Sequence, residues 1–576
     1  MILNHPAHPH KTVVIAGGGI SGLTALIQLK RQLALDHLHV KLYEMAHEFG
    51  GTWSANSYPG AASDIPISLY SLSCNPAKEF DTQWPSSRQI LSYWKRTVDK
   101  YAVAGSIKYR RQVVSATFSR QTSIWTLEVK DLETDETTLE TCNVFVSAVG
   151  ALSNPADAPF DTTQFEGRVV HTAKWDESID LEGKRVVVLG NGCSAAQFVP
   201  AVIDKVAQLT QIARSKHSIV PPVPVPDNSF TNFLVRWIPG LFTLFRFTVF
   251  LLCESYVWMN QDNDKAKKGR QNMKTMSDRI EKTAPERYWD ALKYDFEFGQ
   301  KRRVIDFKGY TSALHSPRMN LVQPDTIARA VGNTVTTANG VEIRDVDLIV
   351  LSIGFKVTDY LFPLKVFNDQ GENLGDRLRA NGVKTYLSSM VASYPNFFIL
   401  MGPNSVPNSS SALFNSECTV EMMIKLLRPV IEDIKEKKNE DREGTTAAVV
   451  NPLLATEVGV NSPTSPTREE TLPSFSRSPF DEKFPFHRTP EPEDTTAVVA
   501  APTVEVTQEA EDEWYASLRE EMGKRIWESN KLGRQISWYT DAAQGGKCTT
   551  LYPWGQFHFK KATENIVKDR FIWSNC

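Results

Sequence analysis

Two glycine-rich turns are the residues in this sequence whose types and spacing most directly predict chemistry. They carry small residues at one shared spacing: Gly17, Gly19 and Gly22 in the first turn, and Gly190, Gly192 and Ala195 in the second. Small residues at these positions permit a tight turn, close approach of the backbone to a pyrophosphate, and close packing of the next helix on the preceding strand. Each turn therefore predicts a site for the phosphates of a dinucleotide.

The elements around each turn repeat in the same order. In the first unit TVVIA precedes the turn, a helical pattern follows, and the strand HVKLYE ends at Glu44. In the second unit RVVVLG precedes the turn, and the strand LTQIAR ends at Arg214. This order predicts two βαβ units, hence an α/β fold with two doubly wound Rossmann-type dinucleotide-binding domains.

The residue at the end of each second strand separates the two cofactors. Glu44 lies 22 residues beyond Gly22, where a carboxylate accepts hydrogen bonds from a ribose diol and repels a 2′-phosphate. Arg214 lies 19 residues beyond Ala195, where a cation favours a 2′-phosphate, although a surface arginine alone would look the same. FAD in the first unit and NADPH in the second explain both residues together.

The cysteines indicate where the electrons of such a flavoprotein go. The sequence has seven, all single and with no C-x-x-C, which argues against a disulfide framework, a zinc or other metal site and a redox dithiol. O2 is then the expected electron acceptor. The same pattern predicts a reducing, cytoplasmic setting, and the start MILNHPAHPHK lacks the apolar region of a secretory signal.

Charge and hydropathy limit the partners. A formal net charge of −3 gives no reason to expect nucleic acid as a partner. The most hydrophobic stretch runs over residues 230–259, but Arg236, Pro239 and Arg246 interrupt it. It therefore predicts a core or tunnel-lining helix rather than a transmembrane segment, with peripheral membrane contact as the alternative. The oligomeric state is not readable.

The chain of 576 residues is too long for one core, so we expect several domains. The low-complexity stretch, rich in Pro, Ser, Thr and Glu, predicts a disordered insert of a kind typical of eukaryotic, and here fungal, proteins. The predicted order is FAD-binding domain (1–155), NADPH-binding domain (156–224), helical insertion (225–300), second NADPH part (301–345), second FAD part (346–434), disordered insert (435–512), and a C-terminal segment packing on the FAD domain (513–576).

A fingerprint stands between the two units. The segment FEGRVVHTAKWD places Phe165, Gly167, His171, Trp175 and Asp176 at the spacing F-x-G-x-x-x-H-x-x-x-W-[P/D]. It resembles that of type I (class B) Baeyer–Villiger monooxygenases in the flavin-containing monooxygenase superfamily, whose N- and S-oxygenating relatives have Phe or Tyr in place of Trp. Because these residues lie in the linker between the nucleotide domains, we interpret them as conformational rather than chemical.

Other segments resemble the same family across nearly the whole chain outside the insert. They are GGTW (50–53) with YPGAASD (58–64), KRR (301–303), PNFF (395–398) with GPN (402–404), SWY (537–539) and LYP (551–553). Three residues depart from the family pattern, namely Ala62 for Arg, Val149 for Thr and Gln300 for Cys. The first departure leaves the packing around the nicotinamide open.

The resemblance implies the roles of individual residues. Arg302 would stabilise an anionic flavin peroxide and then the oxyanion of the ketone adduct, since a guanidinium holds its charge without readily giving up a proton. Asp64 would pair with Arg302, and Lys301 would join Arg214 on the NADPH phosphate. The remaining cofactor residues are Thr52, Trp53 and Tyr70, with Asp64, for FAD, and Ser194, Gln197 and Ser215 for NADPH.

The predicted activity is insertion of one oxygen atom of O2 beside a ketone carbonyl, on an apolar secondary-metabolite ketone. N- or S-oxygenation, or hydroxylation, on the same scaffold is the alternative enzyme. A non-catalytic nucleotide-binding protein that uses the Pro-rich insert for interactions is the alternative from another class. The intact glycine turns and Arg302 argue against it.

Overall fold

The fold is taken from a computed structural model, which describes residues 10–277, 279–408, 410–432, 500–528, 539–541 and 545–576. All of the elements below belong to one unit, Met1–Glu432 with Ala500–Cys576. The second unit, Asp433–Val499, lies outside the described residues, and so does the 435–499 part of the predicted insert.

The strands, in chain order, are β1 (Lys11–Ala16), β2 (Leu38–Tyr43), β3 (Ile107–Lys108), β4 (Arg111–Ser119), β5 (Ile124–Asp131), β6 (Thr137–Cys142), β7 (Val144–Ser147), β8 (Arg168–His171), β9 (Arg185–Leu189), β10 (Gln208–Ile212), β11 (Ile219–Val220), β12 (Val304–Ile305), β13 (Met319–Val322), β14 (Ile327–Val331), β15 (Thr334–Thr337), β16 (Glu342–Ile343), β17 (Leu348–Leu351), β18 (Lys365–Phe367), β19 (Phe397–Ile399), β20 (Thr503–Val506), β21 (Thr540–Asp541), β22 (Lys547–Cys548) and β23 (Phe571–Ser574).

The helices are α1 (Ile20–Gln32), α2 (Thr52–Ala55), α3 (Ser87–Lys100), α4 (Cys193–Val202), α5 (Ser229–Trp237), α6 (Leu241–Glu254), α7 (Asp264–Ser277), α8 (Ile280–Thr283), α9 (Trp289–Leu292), α10 (Tyr310–Ala313), α11 (Leu374–Ala380), α12 (Ala412–Ile431), α13 (Gln508–Gly523) and α14 (Gln556–Glu564).

The first parallel sheet has the order β19-β7-β1-β2-β3. Its central strand β1 pairs with β2 so that Ala16 is opposite Tyr43, and with β7 so that Ala16 is opposite Ser147. The apolar β-branched residues of β1 are fully buried, and α1 and α12 pack into the same core. The carboxyl ends of these strands therefore meet at the first glycine turn.

The second parallel sheet has the order β13-β10-β9-β17-β8, and it corrects one predicted boundary. Residues 346–351 were assigned to the second FAD part, but β17 lies between β9 and β8, with Val350 opposite Val188 and Val170. A short buried apolar run fits either parallel sheet equally well. Only the long-range pairing decides between them.

Smaller sheets complete the unit. Strands β4, β5 and β6 form an antiparallel meander, and β18 joins β4 in parallel. Strands β14, β15 and β16 form a second antiparallel meander. Residues 225–300 are mainly helical, with α5 to α9 in that stretch.

One helical segment corrects the reading of the hydrophobic stretch. Among the described residues, Leu241–Asn260 is 20 residues long with a mean hydropathy of 1.4, so by length and composition alone it could cross a membrane. Only 17% of the apolar window of this segment is buried in the protein, so the expectation of a core helix is wrong for most of the segment. Arg246 is tolerated within the segment because its guanidinium donates to backbone oxygens of Ser71 and Leu72.

The predicted insert extends too far at its carboxyl end. Residues 503–512 were expected to be disordered, but β20 pairs antiparallel with β23, and Val504 is fully buried in the core of the first sheet. Helix α13 begins with the Thr507 side chain accepting from Ala510 N, and its Glu511 is buried against Arg377 at 3.3 Å. The pairing partner of TVEV lies more than sixty residues later, so the local composition alone pointed to disorder.

The C-terminal segment packs on the first sheet. Helix α14 contacts α12, and Phe571 of β23 is buried in the same core as β1. Asn404 donates to the carbonyl oxygens of Cys548 and Leu551 at 3.1 and 2.9 Å. These bonds connect the end of the chain to the turn that follows β19.

Candidate functional site

The first glycine turn leaves no room for side chains. Gly17 has φ +110°, and a Cβ there would lie 2.5 Å from the carbonyl oxygen of Ala148. A Cβ on Gly22 would lie 2.0 Å from the carbonyl oxygen of Gly17. Gly19 precedes α1 without a side-chain cap, and the first turn of α1 has no acidic residue. The first N–H groups of α1 are thus suited to an anionic ligand.

Glu44 directly follows β2 and faces this turn. Its Oε2 accepts from Gly18 N at 2.7 Å and its Oε1 accepts from Ala46 N at 2.8 Å. Burial raises the pKa of Glu44, and the backbone hydrogen bonds partly counteract it. The carboxylate is therefore fixed at the edge where the ribose of a bound dinucleotide is expected.

The loop after β2 packs on the same turn. Gly50 N donates to Gly18 O at 2.9 Å, and Thr52 begins α2 directly afterwards. Trp53 Nε1 donates to the hydroxyl of Tyr70 at 3.2 Å, with the ring centres 5.6 Å apart. The structure thus brings the predicted residues Thr52, Trp53 and Tyr70 to the first turn.

The second glycine turn repeats the geometry of the first. Gly190 has φ +115°, and a Cβ there would lie 2.4 Å from the carbonyl oxygen of Ser352. A Cβ on Gly192 would meet nothing within 4 Å, so the backbone there is open to a ligand. Helix α4 follows with no side-chain cap and no acid in its first turn, where Ser194 lies, and Ala195 is fully buried.

Two cations lie near the second turn. Arg214 is exposed two residues beyond β10, and the next residue, Ser215, accepts a hydrogen bond from the Asn191 side chain at 2.7 Å. Lys301 is buried, with Nζ 4.7 Å from the ring centre of Phe296. Burial lowers the pKa of Lys301, and the charge of Arg214 lowers it further.

Arg302 and Asp64 form an ion pair between the two nucleotide-binding parts of the protein. Arg302 Nη2 donates to Asp64 Oδ2 at 3.0 Å, and 33% and 23% of their side-chain surfaces are exposed. Burial acts to raise the pKa of Asp64, but the charges of Arg302 and Arg303 outweigh it, and the pKa lies below its usual value. Burial acts to lower the pKa of Arg302, but Cys193 and Asp64 more than offset it, and the pKa lies above its usual value. Both groups are therefore charged at neutral pH.

Gln197 connects the two nucleotide units rather than facing open space. Its Oε1 accepts from the Tyr58 hydroxyl at 2.7 Å, and its Nε2 donates to Ala62 O at 3.1 Å. A Cβ on Gly60 would lie 2.1 Å from the carbonyl oxygen of Gln197. The amide of this residue, predicted to bind NADPH, is thus used within the protein, and Ala62 contributes its backbone rather than a side chain.

The fingerprint residues organise the second sheet and the helix of the second glycine turn. His171 ends β8, with Nε2 3.0 Å from Gly354 O and Nδ1 accepting from Ala173 N at 3.0 Å, and burial lowers the pKa of the ring. Trp175 packs on Phe198 of α4, with ring centres 5.3 Å apart. Asp176 accepts from Ser178 N at 2.8 Å and pairs with Arg168, and the hydrogen bonds from Ser178, followed by that from Arg168, lower the pKa of Asp176 to about 2.

Packing explains why the first two fingerprint positions are Phe165 and Gly167. Phe165 is buried in the core of the second sheet and bridges to Gly332. A Cβ on Gly167 would lie 2.6 Å from Asp347 O and 2.6 Å from the Phe165 ring. The five residues therefore fix the course of the linker.

The structure contains a cavity of about 130 Å3 whose lining does not include Arg302 or Asp64 themselves. Lys301 and Arg303, which flank Arg302 in the sequence, line it together with Tyr539. Burial raises the pKa of the Tyr539 hydroxyl to about 12, so it stays protonated. Asn260, Arg270 and Asn408 are the other polar lining residues, and the rest of the lining is mostly apolar, formed by Val220, Pro221, Pro222, Val223, Pro224, Tyr256, Met259, Phe298, Gly299 and Ile305.

The site residues predicted from the sequence do not include Asn408, Asn260 and Tyr58, three polar residues of this region. Asn408 accepts from Arg303 Nη1 through its backbone oxygen at 2.8 Å, and its side chain contacts Asn260 at 2.9 Å and Tyr539 at 3.3 Å. Tyr58 supports Gln197 as described above. Asn408 lies four residues after the GPN segment, which was the available signal. The neighbouring Ser537 and Trp538 lie outside the described residues.

The other two departures from the family pattern are Gln300 and Val149. Gln300 is buried, and its Oε1 accepts from Glu297 N at 2.9 Å. Val149 is partly buried against the core of the β4–β6 meander. In the part of the chain that the structure describes, no group of three or more His, Cys, Asp or Glu side chains could hold a metal ion.

Comparison with known proteins agrees with this geometry. The family described as NAD(P)-binding Rossmann-like domain matches residues 15–80. An uncharacterised monooxygenase of Sinorhizobium fredii is 31% identical over 73% of this chain, which spans 64% of that relative's length. A Baeyer–Villiger monooxygenase of Streptomyces coelicolor is 30% identical over 74% of this chain and 80% of its own length.

The solved structure of OTEMO in complex with FAD and NADP has the same fold, with a TM-score of 0.71 over 99% of this chain and 100% of that chain at 17% identity. The predicted fold class is thereby confirmed. On the strength of its Streptomyces relative, this chain belongs to the Baeyer–Villiger monooxygenase family.

Proposed function

We propose that this protein is an FAD- and NADPH-dependent monooxygenase that inserts one atom of O2 beside the carbonyl of an apolar ketone, giving an ester or lactone. The observation that carries the proposal is Arg302, held by Asp64 at 3.0 Å, between Lys301 and Arg303 in the chain, which line a largely apolar cavity. A fixed cation whose chain neighbours line an apolar cavity suits a reaction in which negative charge develops on a substrate oxygen.

The two turns fit the two cofactors. Both lead into helices without side-chain caps or acids in the first turn, and Gly192 leaves the backbone open. Glu44 would accept hydrogen bonds from the FAD ribose, while Arg214 and Lys301 would bind the 2′-phosphate of NADPH. When bound, NADPH supplies a hydride and FAD passes the electrons to O2.

Arg302 acts as a charge that does not give up its proton. Its pKa lies above the usual range despite burial, so it cannot serve as a general acid. It stabilises negative charge on the carbonyl oxygen of the ketone as that carbon is attacked. A side chain that readily donates a proton at the position of Arg302 would instead favour the oxygenation of amines and sulfides.

Asp64 positions Arg302 rather than taking part in bond making. It bonds to the guanidinium and stays negative because the charges of Arg302 and Arg303 hold its pKa low. The pair joins the loop after β2 to the segment before β12, so it also fixes the first nucleotide unit relative to the cation.

His171 and Trp175 are proposed to transmit cofactor binding through the linker. His171 connects the end of β8 to Gly354, the loop that follows β17, and Trp175 packs on the helix of the second glycine turn. A change in that helix would therefore reach the linker. If His171→Ala leaves both NADPH consumption and product yield unchanged, this role is wrong.

The finer assignments follow from the same observations. The apolar wall of the cavity favours a hydrophobic ketone of secondary metabolism. The sequence pattern favours a type I (class B) enzyme of fungal origin. All seven cysteines are free, which suits a reducing compartment such as the cytoplasm.

Mass spectrometry of the products under 18O2 tests the proposal directly. The purified flavoprotein is incubated with NADPH and a panel of ketones, amines and sulfides. The expected result is a ketone-derived ester or lactone with one 18O atom, and NADPH oxidation that ketones accelerate. Acceleration and labelling with amines or sulfides alone would replace the proposal with N- or S-oxygenation. A protein purified without flavin absorbance and unable to bind FAD would contradict both.

A further inference from the structure

Helices α5 and α6 carry a large exposed apolar surface. Its side chains, with relative exposures between 42% and 70%, are Phe230, Phe233, Trp237, Ile238, Leu244, Phe247 and Leu251. Trp258, in the short turn after α6, is 39% exposed. We call α5, α6 and the residues up to Asn260 the apolar hairpin. So many exposed aromatic and aliphatic side chains on one short segment mark an interaction surface.

Helix α6 lies along the protein rather than leaving it. Val249 and Cys253 on one face pack with Leu69 in a small buried cluster. Arg246 on that face donates to Ser71 O at 3.0 Å. Leu244, Phe247 and Leu251 follow the same helical spacing on the other face, and that face is exposed. A helix bound along one side in this way suits insertion into the surface of a bilayer, not across it.

Cations lie next to the apolar hairpin. Helix α7 follows it and exposes Lys265, Lys267 and Lys268, with Asp264 as the acid of its first turn. Lys265 Nζ lies 5.9 Å from the ring centre of Trp258. Exposed lysines beside an aromatic at the edge of an apolar face are the chemistry that recognises anionic lipid headgroups.

Both ends of the apolar hairpin lead to the cavity that Lys301 and Arg303 line. Val220–Pro224, before α5, lines one side of it, and Tyr256, Met259 and Asn260, after α6, line another. Trp258 is thus partly exposed to solvent, while the next residue, Met259, lines the cavity. Asn260 is buried, and its Nδ2 has no hydrogen-bond partner among the described residues.

We propose that the apolar hairpin docks on a membrane surface that carries anionic lipids, with its apolar side chains in the outer layer of the bilayer and the α7 lysines on the headgroups. The cavity then opens beside the membrane, where an apolar substrate is concentrated. The docking itself does not depend on which reaction the site catalyses.

Vesicle flotation of the full-length flavoprotein tests the proposal, with phosphatidylcholine vesicles that contain or lack phosphatidylserine. The expected result is binding to both, stronger with phosphatidylserine and weakened by salt for that lipid alone. The test variant and its matched control each remove three exposed apolar side chains: Phe233→Ser/Leu244→Ser/Phe247→Ser on the hairpin, and Leu139→Ser/Val331→Ser/Val341→Ser on other elements.

The hairpin variant is expected to lower the ratio of bound to free protein by about tenfold or more, while the control variant stays within about twofold of the wild type. A third variant, Lys265→Glu/Lys267→Glu/Lys268→Glu, should remove only the preference for phosphatidylserine. Flavin absorbance and circular dichroism verify that each variant is folded.

Three outcomes would overturn the proposal. They are a wild type that binds neither vesicle, a folded hairpin variant that binds as well as the wild type, and equal losses in the hairpin and control variants. Analytical ultracentrifugation adds a fourth. A dimer in vesicle-free solution that the hairpin variant converts to a monomer would assign the surface to a second copy of the chain.

Discussion

Replacing Asp64 by Asn is the most direct test of how Arg302 is held. The substitution keeps the size of the side chain and one acceptor oxygen, but it removes the charge that faces Arg302 Nη2 at 3.0 Å. The chemistry should slow, because the guanidinium loses the partner that fixes its position. Binding of FAD and NADPH should persist, since the glycine turns are unchanged.

The magnitude follows from the exposure of the pair. A hydrogen bond between charged groups contributes about 1.5 to 3 kcal/mol. The exposed fractions, 33% for Arg302 and 23% for Asp64, place this pair at the lower end because solvent screens it. A loss of about 1.5 to 2 kcal/mol corresponds to a rate of product formation about 10- to 30-fold lower.

The assay compares product formation from a ketone at saturating NADPH with anaerobic reduction of the flavin by NADPH. The first rate should fall and the second should stay within about threefold of the wild type. Asp176→Asn is the matched control, since it removes a carboxylate paired with Arg168 away from the cavity. A rate for Asp64→Asn within threefold of the wild type, or an equal loss in Asp176→Asn, would refute the reasoning.

Three further predictions concern the cofactors and the pH dependence of stability. Arg214→Ala should raise the KM for NADPH about tenfold and leave the KM for NADH unchanged, as steady-state kinetics with both would show; equal changes for both would contradict the assignment. Gly22→Ala, whose Cβ would lie 2.0 Å from Gly17 O, should yield protein without flavin absorbance, whereas Gly105→Ala, with nothing within 4 Å, should keep its FAD. Burial, and then the charge of Lys301, lower the pKa of His217 to about 4. Below about pH 6.5 the unfolded chain therefore takes up a proton that the folded chain does not, and the unfolding free energy should fall by about 2 kcal/mol between pH 6.5 and pH 5. In denaturant titrations of His217→Gln, the unfolding free energy should depend less steeply on pH than in the wild type. An unchanged slope of the unfolding free energy against pH would contradict the assignment.

The sequence by itself determined the fold class, the two nucleotide units and the family. Each rests on local physics, namely a buried β-branched strand, a turn that only glycine can make, and a helix N-terminus directly after it. Gly17 and Gly190 illustrate this, because their positive φ and the close carbonyl oxygens exclude any side chain. Such requirements act within a few residues, so they are visible in the order of the residues.

The tertiary structure alone decided which distant groups meet. Asp64 and Arg302 are 238 residues apart, and their pairing was predicted only through the family resemblance. Strand β17 joined the second sheet, although its composition fits either parallel sheet, and TVEV joined β23, although its local composition pointed to disorder. The side-chain amide of Gln197 forms hydrogen bonds with Tyr58 and Ala62 rather than facing open space.

The apolar hairpin shows the same difference between what the sequence predicts and what the tertiary structure decides. Its composition predicted a buried helix, because hydropathy is a property of the segment alone. Exposure depends on what packs against each face, and only one face of α6 has a partner within the described residues. Burial, charge pairing and cavities are properties of contacts between distant segments, and for that reason only the folded chain could determine them.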